Sequence, residues 1–201
     1  MKALLGGPVA EETHGSETDA TACLLRHRAG DPEALGALYD ALAPGTLRFL
    51  RALRTGLDAG ALEDALQESF LRLVDKLPDL QDPRRVRGYA LGIARNVALD
   101  LVRRARFAGS TPREEEPLAP PAESGLLRAE RQEIVSASLA ALPAELHEAL
   151  ALRHLTGISL AELADALDCS VPTARARLRE AASRLALELR RRGLDPREEV
   201  R

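Results

Sequence analysis

Two stretches of this sequence, 83–107 and 159–192, carry recurrent arginines whose neighbouring polar groups suit contact with an anionic polymer. In the first, Arg84, Arg85, Arg87, Arg95 and Arg103 supply charge and Asn96 an amide able to form a bidentate contact. Tyr89 is the aromatic ring nearest those arginines' start, and a base stacked on such a ring gains about 1–3 kcal/mol. In the second, Ser159-Leu160-Ala161-Glu162 reads as a capping box opening a short helix, Asp168-Cys169-Ser170 as a tight turn, and Ser170 as the cap of a helix to about Arg192. Short helix, turn and longer helix lay the second helix in a DNA major groove while the first braces on the backbone. Ser170 and Thr173 stand at the start of that second helix, Arg175 and Arg177 flank it where phosphates lie, and Arg179 points outward toward base edges. A charged helix face alone is usually only solvated, so it is the turn that favours DNA contact.

The elements that position these residues are helical. At 201 residues and 45% hydrophobic, the chain can bury one or two small cores; Leu and Ala dominate and aromatics are only 2%, so helix-on-helix packing is expected. The predicted fold class is all-α, with two small helical domains joined by a flexible linker. The net charge is −3, but the acid gathers in Glu11–Asp19 and Arg113–Glu123, so local charge is more telling than the total. Cys23 and Cys169 belong to different predicted domains, and no Cys/His spacing suits a metal; no cofactor is expected. His14, His27, His147 and His154 read as surface or helix residues. No apolar run approaches the roughly 20 residues that cross a bilayer, and Met1–Val9 makes a poor signal peptide, so no membrane insertion and a cytoplasmic location are expected.

Along the chain, residues 1–18 lack helical periodicity and read as a disordered tail. The first domain, 19–107, begins with a helix from Asp19 to Ala29 that Gly30 stops, and a second to about Leu42; Pro44 opens a third, broken by Gly56–Gly60. A helix over 61–77 places Leu62, Leu66, Phe70, Leu73 and Leu77 on one buried stripe, and one over 84–106 puts Val86, Ala90, Ile93, Val97 and Leu101 toward the core with Arg95, Arg103 and Arg106 opposite. Residues 108–125 are rich in Pro, Glu, Ser and Gly, too poor in large apolar groups to offset the entropy of ordering, and form the linker. The second domain, 126–192, holds helices over 126–142 and 143–155 before the helix-turn-helix, and 193–201 is a tail.

The sequence resembles the extracytoplasmic-function sigma factors, the compact two-domain class of bacterial RNA polymerase initiation subunits. The resemblance is carried by Asp64-Ala65-Leu66-Gln67-Glu68-Ser69-Phe70-Leu71-Arg72-Leu73, by the run from Arg87-Gly88-Tyr89 to Asp100, and by Leu142-Pro143 with Thr156-Gly157-Ile158-Ser159-Leu160-Ala161-Glu162-Leu163-Ala164. These blocks follow the family's order over about residues 19–189; each is weak alone and together they are specific. The resemblance implies a non-enzymatic initiation factor that binds core RNA polymerase and directs it to a bipartite promoter, with an anti-sigma factor as a further partner. Asp64, Gln67, Glu68 and Leu71 would dock on the polymerase clamp helices, where apolar contact supplies affinity and charge sets register. Residues 80–88 and the helix after them would read and open the minus-ten element. Relatives commonly show Trp near Tyr89, and a Ser and an Arg-Ala-Arg run where this chain has Ala176 and Glu180-Ala181-Ala182. A carboxylate at Glu180 is unfavourable beside phosphates unless it accepts a hydrogen bond from cytosine. Two rivals stand beside this reading: a degenerate sigma-like adaptor that binds polymerase or a regulator without opening DNA, and a dimeric helix-turn-helix repressor, against which the Asp64–Leu73 block argues.

Overall fold

The computed structural model describes residues 12–107 and 126–195, and among these it contains eight α-helices, one 3-10 turn and no strand. The predicted linker, 108–125, lies outside the described residues, as do 1–11 of the predicted tail and 196–201. Helix α1 is Glu12–Arg28, α2 Ala34–Ala52, α3 Ala59–Lys76 and α4 Val86–Phe107, the last entered through a 3-10 turn at Pro83–Arg85. Then come α5 (Leu126–Ala140), α6 (Ala144–Thr156), α7 (Leu160–Ala166) and α8 (Val171–Arg191).

Two elements differ from the pattern reading. Helix α1 begins at Glu12 rather than Asp19, because a helix anchored by buried Ala20, Cys23 and Leu24 propagates one hydrogen bond per residue into a segment that has no apolar stripe to announce it. Pro44 lies inside α2 instead of opening a new helix. The stripe Leu38, Leu42, Thr46, Phe49 and Leu50 runs unbroken past it, so burial offsets the missing N–H, and Asp40, whose carbonyl loses that donor, sits on the exposed face.

Elsewhere local chemistry sets the ends. The Asp58 carboxylate accepts from Ala61 N–H at 2.8 Å to start α3, and Asp82 accepts from Arg84 N–H at 3.1 Å to start the turn before α4. Gly157 closes α6 at φ 66°, a left-handed conformation that costs a residue without Cβ little. Buried Leu62, Leu66, Leu73 and Leu77 give α3 the expected stripe; Phe70 lies partly buried, edge-on to Tyr39 with ring centroids 5.0 Å apart.

The two halves of the chain share a core. One apolar cluster draws Phe49, Leu50, Leu91, Ala94, Val97 and Ala98 from the first half together with Leu152, Ile158, Leu163 and Ala166 from the second. It is flanked by a cluster around Leu24, Leu38, Leu73 and Val86, and by another around Leu146, Leu150, Leu185 and Leu189. The sharing follows from α7 packing along α4 and α6 along α2.

Candidate nucleic-acid interface

The helix-turn-helix forms as its caps direct. The Ser159 hydroxyl accepts from Glu162 N–H at 3.2 Å while the Glu162 carboxylate accepts from Ser159 N–H at 2.8 Å, and Ser170 Oγ accepts from Thr173 N–H at 3.3 Å to start α8. Asp168 takes φ 48° in the turn between them. Buried Ala174, Ala181, Leu185 and Leu189 hold α8 against the second unit, and Leu178 is partly buried beside them. Pro172, Thr173, Arg175, Ala176, Arg179 and Ser183 are exposed, as is Ser170. Arg177 leans back, its guanidinium 3.7 Å from the Glu145 carboxylate. Glu180 does not stand alone on this face: it pairs with Arg184 one turn along at 2.7 Å.

On α4 the expected cationic face is largely spoken for. Arg84 folds onto Asp82, 3.1 Å away, and that guanidinium, with the Arg84 N–H, holds the Asp82 carboxyl below its ordinary range. Arg85 Nε donates to Asp165 of α7 at 2.6 Å. Arg87 is buried and donates to the Thr156 carbonyl at the end of α6, while Arg95 pairs with Glu148 of α6. Arg103 pairs with Asp100 at 2.8 Å, and Asn96 and Tyr89 remain exposed. Arg87 and Arg95 therefore correct the expectation of a solvent-facing arginine row, because that row is where the second half of the chain docks. Glu148, Thr156 and Asp165 were missed as its partners. A usable signal was present in Gly88 and Gly92, one turn apart on the arginine side: a Cβ on Gly88 would lie 2.7 Å from the Glu162 carbonyl oxygen, and one on Gly92 3.3 Å from Ala166 Cα.

On α3, Asp64, Gln67, Glu68 and Leu71 fall at helical spacing on one side and are all exposed, Leu71 at 63%. Glu68 pairs with Arg72 at 2.8 Å. Beside this edge runs a groove between α2 and α3 lined by Tyr39, Pro44, Leu47, Glu63, Leu66 and Gln67. Two histidines on α6 are shifted: burial, then the Arg54 guanidinium, lowers His147 to about 4, and burial, then Arg153, lowers His154. No helix among the described residues is long and apolar enough to cross a membrane.

Comparison with known proteins matches this layout. The family model for Sigma-70 region 2 matches residues 38–108 and that for Sigma-70, region 4 matches residues 132–185. The chain is 30% identical over 180 residues to the ECF RNA polymerase sigma factor SigC of Mycobacterium tuberculosis, covering 86% of this chain and 92% of that one, with the same figures for the probable RNA polymerase sigma-C factor of Mycobacterium bovis. Among solved structures it resembles CnrH in complex with the cytosolic domain of CnrY, with a TM-score of 0.61 at 22% identity over 85% of this chain and 97% of that one. It also resembles the sigma factor RpoE of Bartonella quintana in complex with the anti-sigma factor NepR, with a TM-score of 0.53 at 23% identity over 72% and 92%. An all-α chain with a region 2 unit, a region 4 helix-turn-helix and this extent of likeness belongs to the extracytoplasmic-function family of RNA polymerase sigma factors.

Proposed function

We propose that this chain binds core RNA polymerase and directs it to a bipartite promoter, supplying recognition while the polymerase performs the chemistry. The observation that carries the reading is the succession of a region 2 match and a region 4 match on one chain. The exposed edge of α3, with Asp64, Gln67, Glu68 and Leu71, meets the polymerase; its mixture of carboxylate, amide and apolar groups suits a charged coiled-coil partner. On α8, Ser170, Thr173, Arg175, Arg177 and Arg179 read the upstream promoter element, the flanking charges fixing register and Arg179 reaching a base. Of the α4 region, the exposed Arg84, Arg85, Tyr89, Asn96 and Arg103 serve the minus-ten element, while Arg87 and Arg95 hold α6 against α4. An anti-sigma factor is a further partner, and the chain works in the cytoplasm, where the polymerase is.

Run-off transcription with purified core polymerase, with and without the chain, tests this reading. Chain-dependent transcripts are expected, and Asp64→Lys with Glu68→Lys should weaken core binding without changing the helical circular dichroism, since exposed charges add little to folding. Core binding without any transcript would favour the adaptor that never opens DNA. Unaltered core affinity in the double variant would remove α3 from the interface.

A further inference from the structure

A carboxylate stands in the middle of the α4 face assigned to DNA. Tyr89, Asn96, Asp100 and Arg103 follow one another at steps of seven, four and three, so they share one side of the helix, where a bare Asp100 would repel phosphates. Its two oxygens are divided. Oδ1 lies 2.8 Å from the Arg103 guanidinium, and Oδ2 faces the Arg72 guanidinium of α3 at 3.9 Å. Arg72 in turn donates its Nε–H to Glu68, one turn back on α3, at 2.8 Å. Charges therefore alternate from the exposed edge of α3 to the exposed face of α4, in the order Glu68, Arg72, Asp100, Arg103. The two outer contacts are at hydrogen-bonding length and the central one is longer, so Arg72 is shared between two carboxylates and held more firmly by Glu68. Its forked guanidinium has donors enough to close on Asp100 if Glu68 is taken away.

We propose that Arg72 is a positioning residue that couples the two binding faces of region 2. A cation of the polymerase that takes Glu68 lets Arg72 close on Asp100, which loosens the hold of Asp100 on Arg103 and releases that arginine for a DNA phosphate. The exchange also runs backward, because a coupling free energy is reciprocal. A phosphate that takes Arg103 leaves Asp100 to draw Arg72 off Glu68, and Glu68 then meets the polymerase without an internal partner to displace. The four side chains are between 35% and 67% exposed, so water and salt screen each link and the coupling is modest. The inference rests on the functional assignments of α3 and α4 made above.

The test uses the full chain with core polymerase and no DNA, so that a residue of the DNA face is read through the other face. Arg103→Gln imitates an arginine already captured by phosphate and should tighten core binding about threefold, the scale of one exposed ion pair. Arg104→Gln, at the exposed neighbour outside this row of pairs, gives the effect of a lost charge alone. Arg103→Lys keeps a cation beside Asp100 and should restore the parent's affinity. In an Arg72→Gln background, Arg103→Gln should do no more than Arg104→Gln does. Nitrogen–proton NMR of the Arg72 Nε–H in the free chain reads the exchange itself: its resonance should move in Arg103→Gln and hold its position in Arg104→Gln. A stationary Arg72 resonance overturns the coupling. So does a tightening no greater than that of Arg104→Gln, or one that persists without Arg72, in a chain whose parent binds core polymerase. A resonance that moves in a chain whose parent does not bind core polymerase would instead overturn the functional reading and leave the exchange of partners standing.

Discussion

Helices α4 and α8 both carry rows of arginines, and the structure treats them in opposite ways. On α8, Arg175 and Arg179 project into solvent from a helix whose other side is anchored by Ala174, Ala181, Leu185 and Leu189. On α4, Arg87 is 6% exposed and Arg95 is paired across to α6, while apolar residues on both sides of the helix are buried. An exposed arginine on a solvated helix is nearly free of structural obligation, whereas a desolvated one must be matched by an oxygen or it destabilises its surroundings. The same residue type is therefore available to a ligand on one helix and holds the fold together on the other.

Alanine substitution at one arginine of each row should break that symmetry with the largest effect. Arg95→Ala leaves the Glu148 carboxylate, 10% exposed, without its cation, a loss of about 3–5 kcal/mol if the interface stays shut. Separation of α6 from α4 would return water to Glu148 and cap the penalty at what the interface is worth. Denaturant unfolding should therefore show a clear loss of stability, and hydrogen exchange should show α7 losing protection before α1. Arg179→Ala should stay within about 0.5 kcal/mol of the parent in the same experiment. Equal effects at both positions would mean that α4 and α8 are equally exposed in solution.

Most single elements behind this contrast were legible in the sequence, because their causes are local. The Ser159–Glu162 capping box, the Ser170 cap, the Gly157 stop and the leucine stripe of α3 each need only neighbours within about a turn. The exposed face of α8 and the exposed edge of α3 followed from the same spacing. Pro44 inside α2 was not legible, since a proline reads as a helix start unless the burial that outweighs it is known. The fate of Arg87 and Arg95 was hidden for a similar reason. A positive stripe predicts solvent or an anion, and here the anions are Glu148 and Asp165 of the same chain, far along the sequence. Gly88 and Gly92 marked a close approach on that side, but not which helix approaches.

A smaller effect should come from His147, which sharpens the comparison because it senses the seam between the halves. Burial and then the Arg54 guanidinium lower it from 6.5 to about 4, and Arg54 itself reaches across to the Leu142 carbonyl at 3.4 Å. Between those two values the unfolded chain binds the proton more readily than the folded one, so stability is complete above the ordinary histidine range and declines as pH falls toward 4. After allowance for the partial exposure of the ring, the loss between about pH 7 and pH 5 is roughly 1–2 kcal/mol. Denaturant midpoints at the two pH values should differ accordingly, and His147→Gln should flatten the dependence. A parent with identical midpoints would place His147 in water.

The smallest effect on the fold is expected at Glu180, on the solvated α8 side of the comparison. Glu180 and Arg184 are 2.7 Å apart with each side chain 52% exposed, a pairing one turn apart that adds only about 0.3–0.5 kcal/mol to a helix. Glu180→Gln should leave the unfolding curve nearly superimposable on the parent, in contrast to the loss at Arg95. Its effect on DNA is a separate matter. In the parent the Arg184 guanidinium already offsets part of the carboxylate's repulsion for phosphates, so removing the charge should tighten duplex binding modestly at every sequence and release Arg184 for a phosphate. Titrations at two salt concentrations read this directly, because one more phosphate contact steepens the dependence of log K on log salt by about 0.9. If binding instead weakened for one duplex and was unchanged for the rest, Glu180 would be accepting a hydrogen bond from a cytosine, and the carboxylate would count as part of the reading surface beside Arg179.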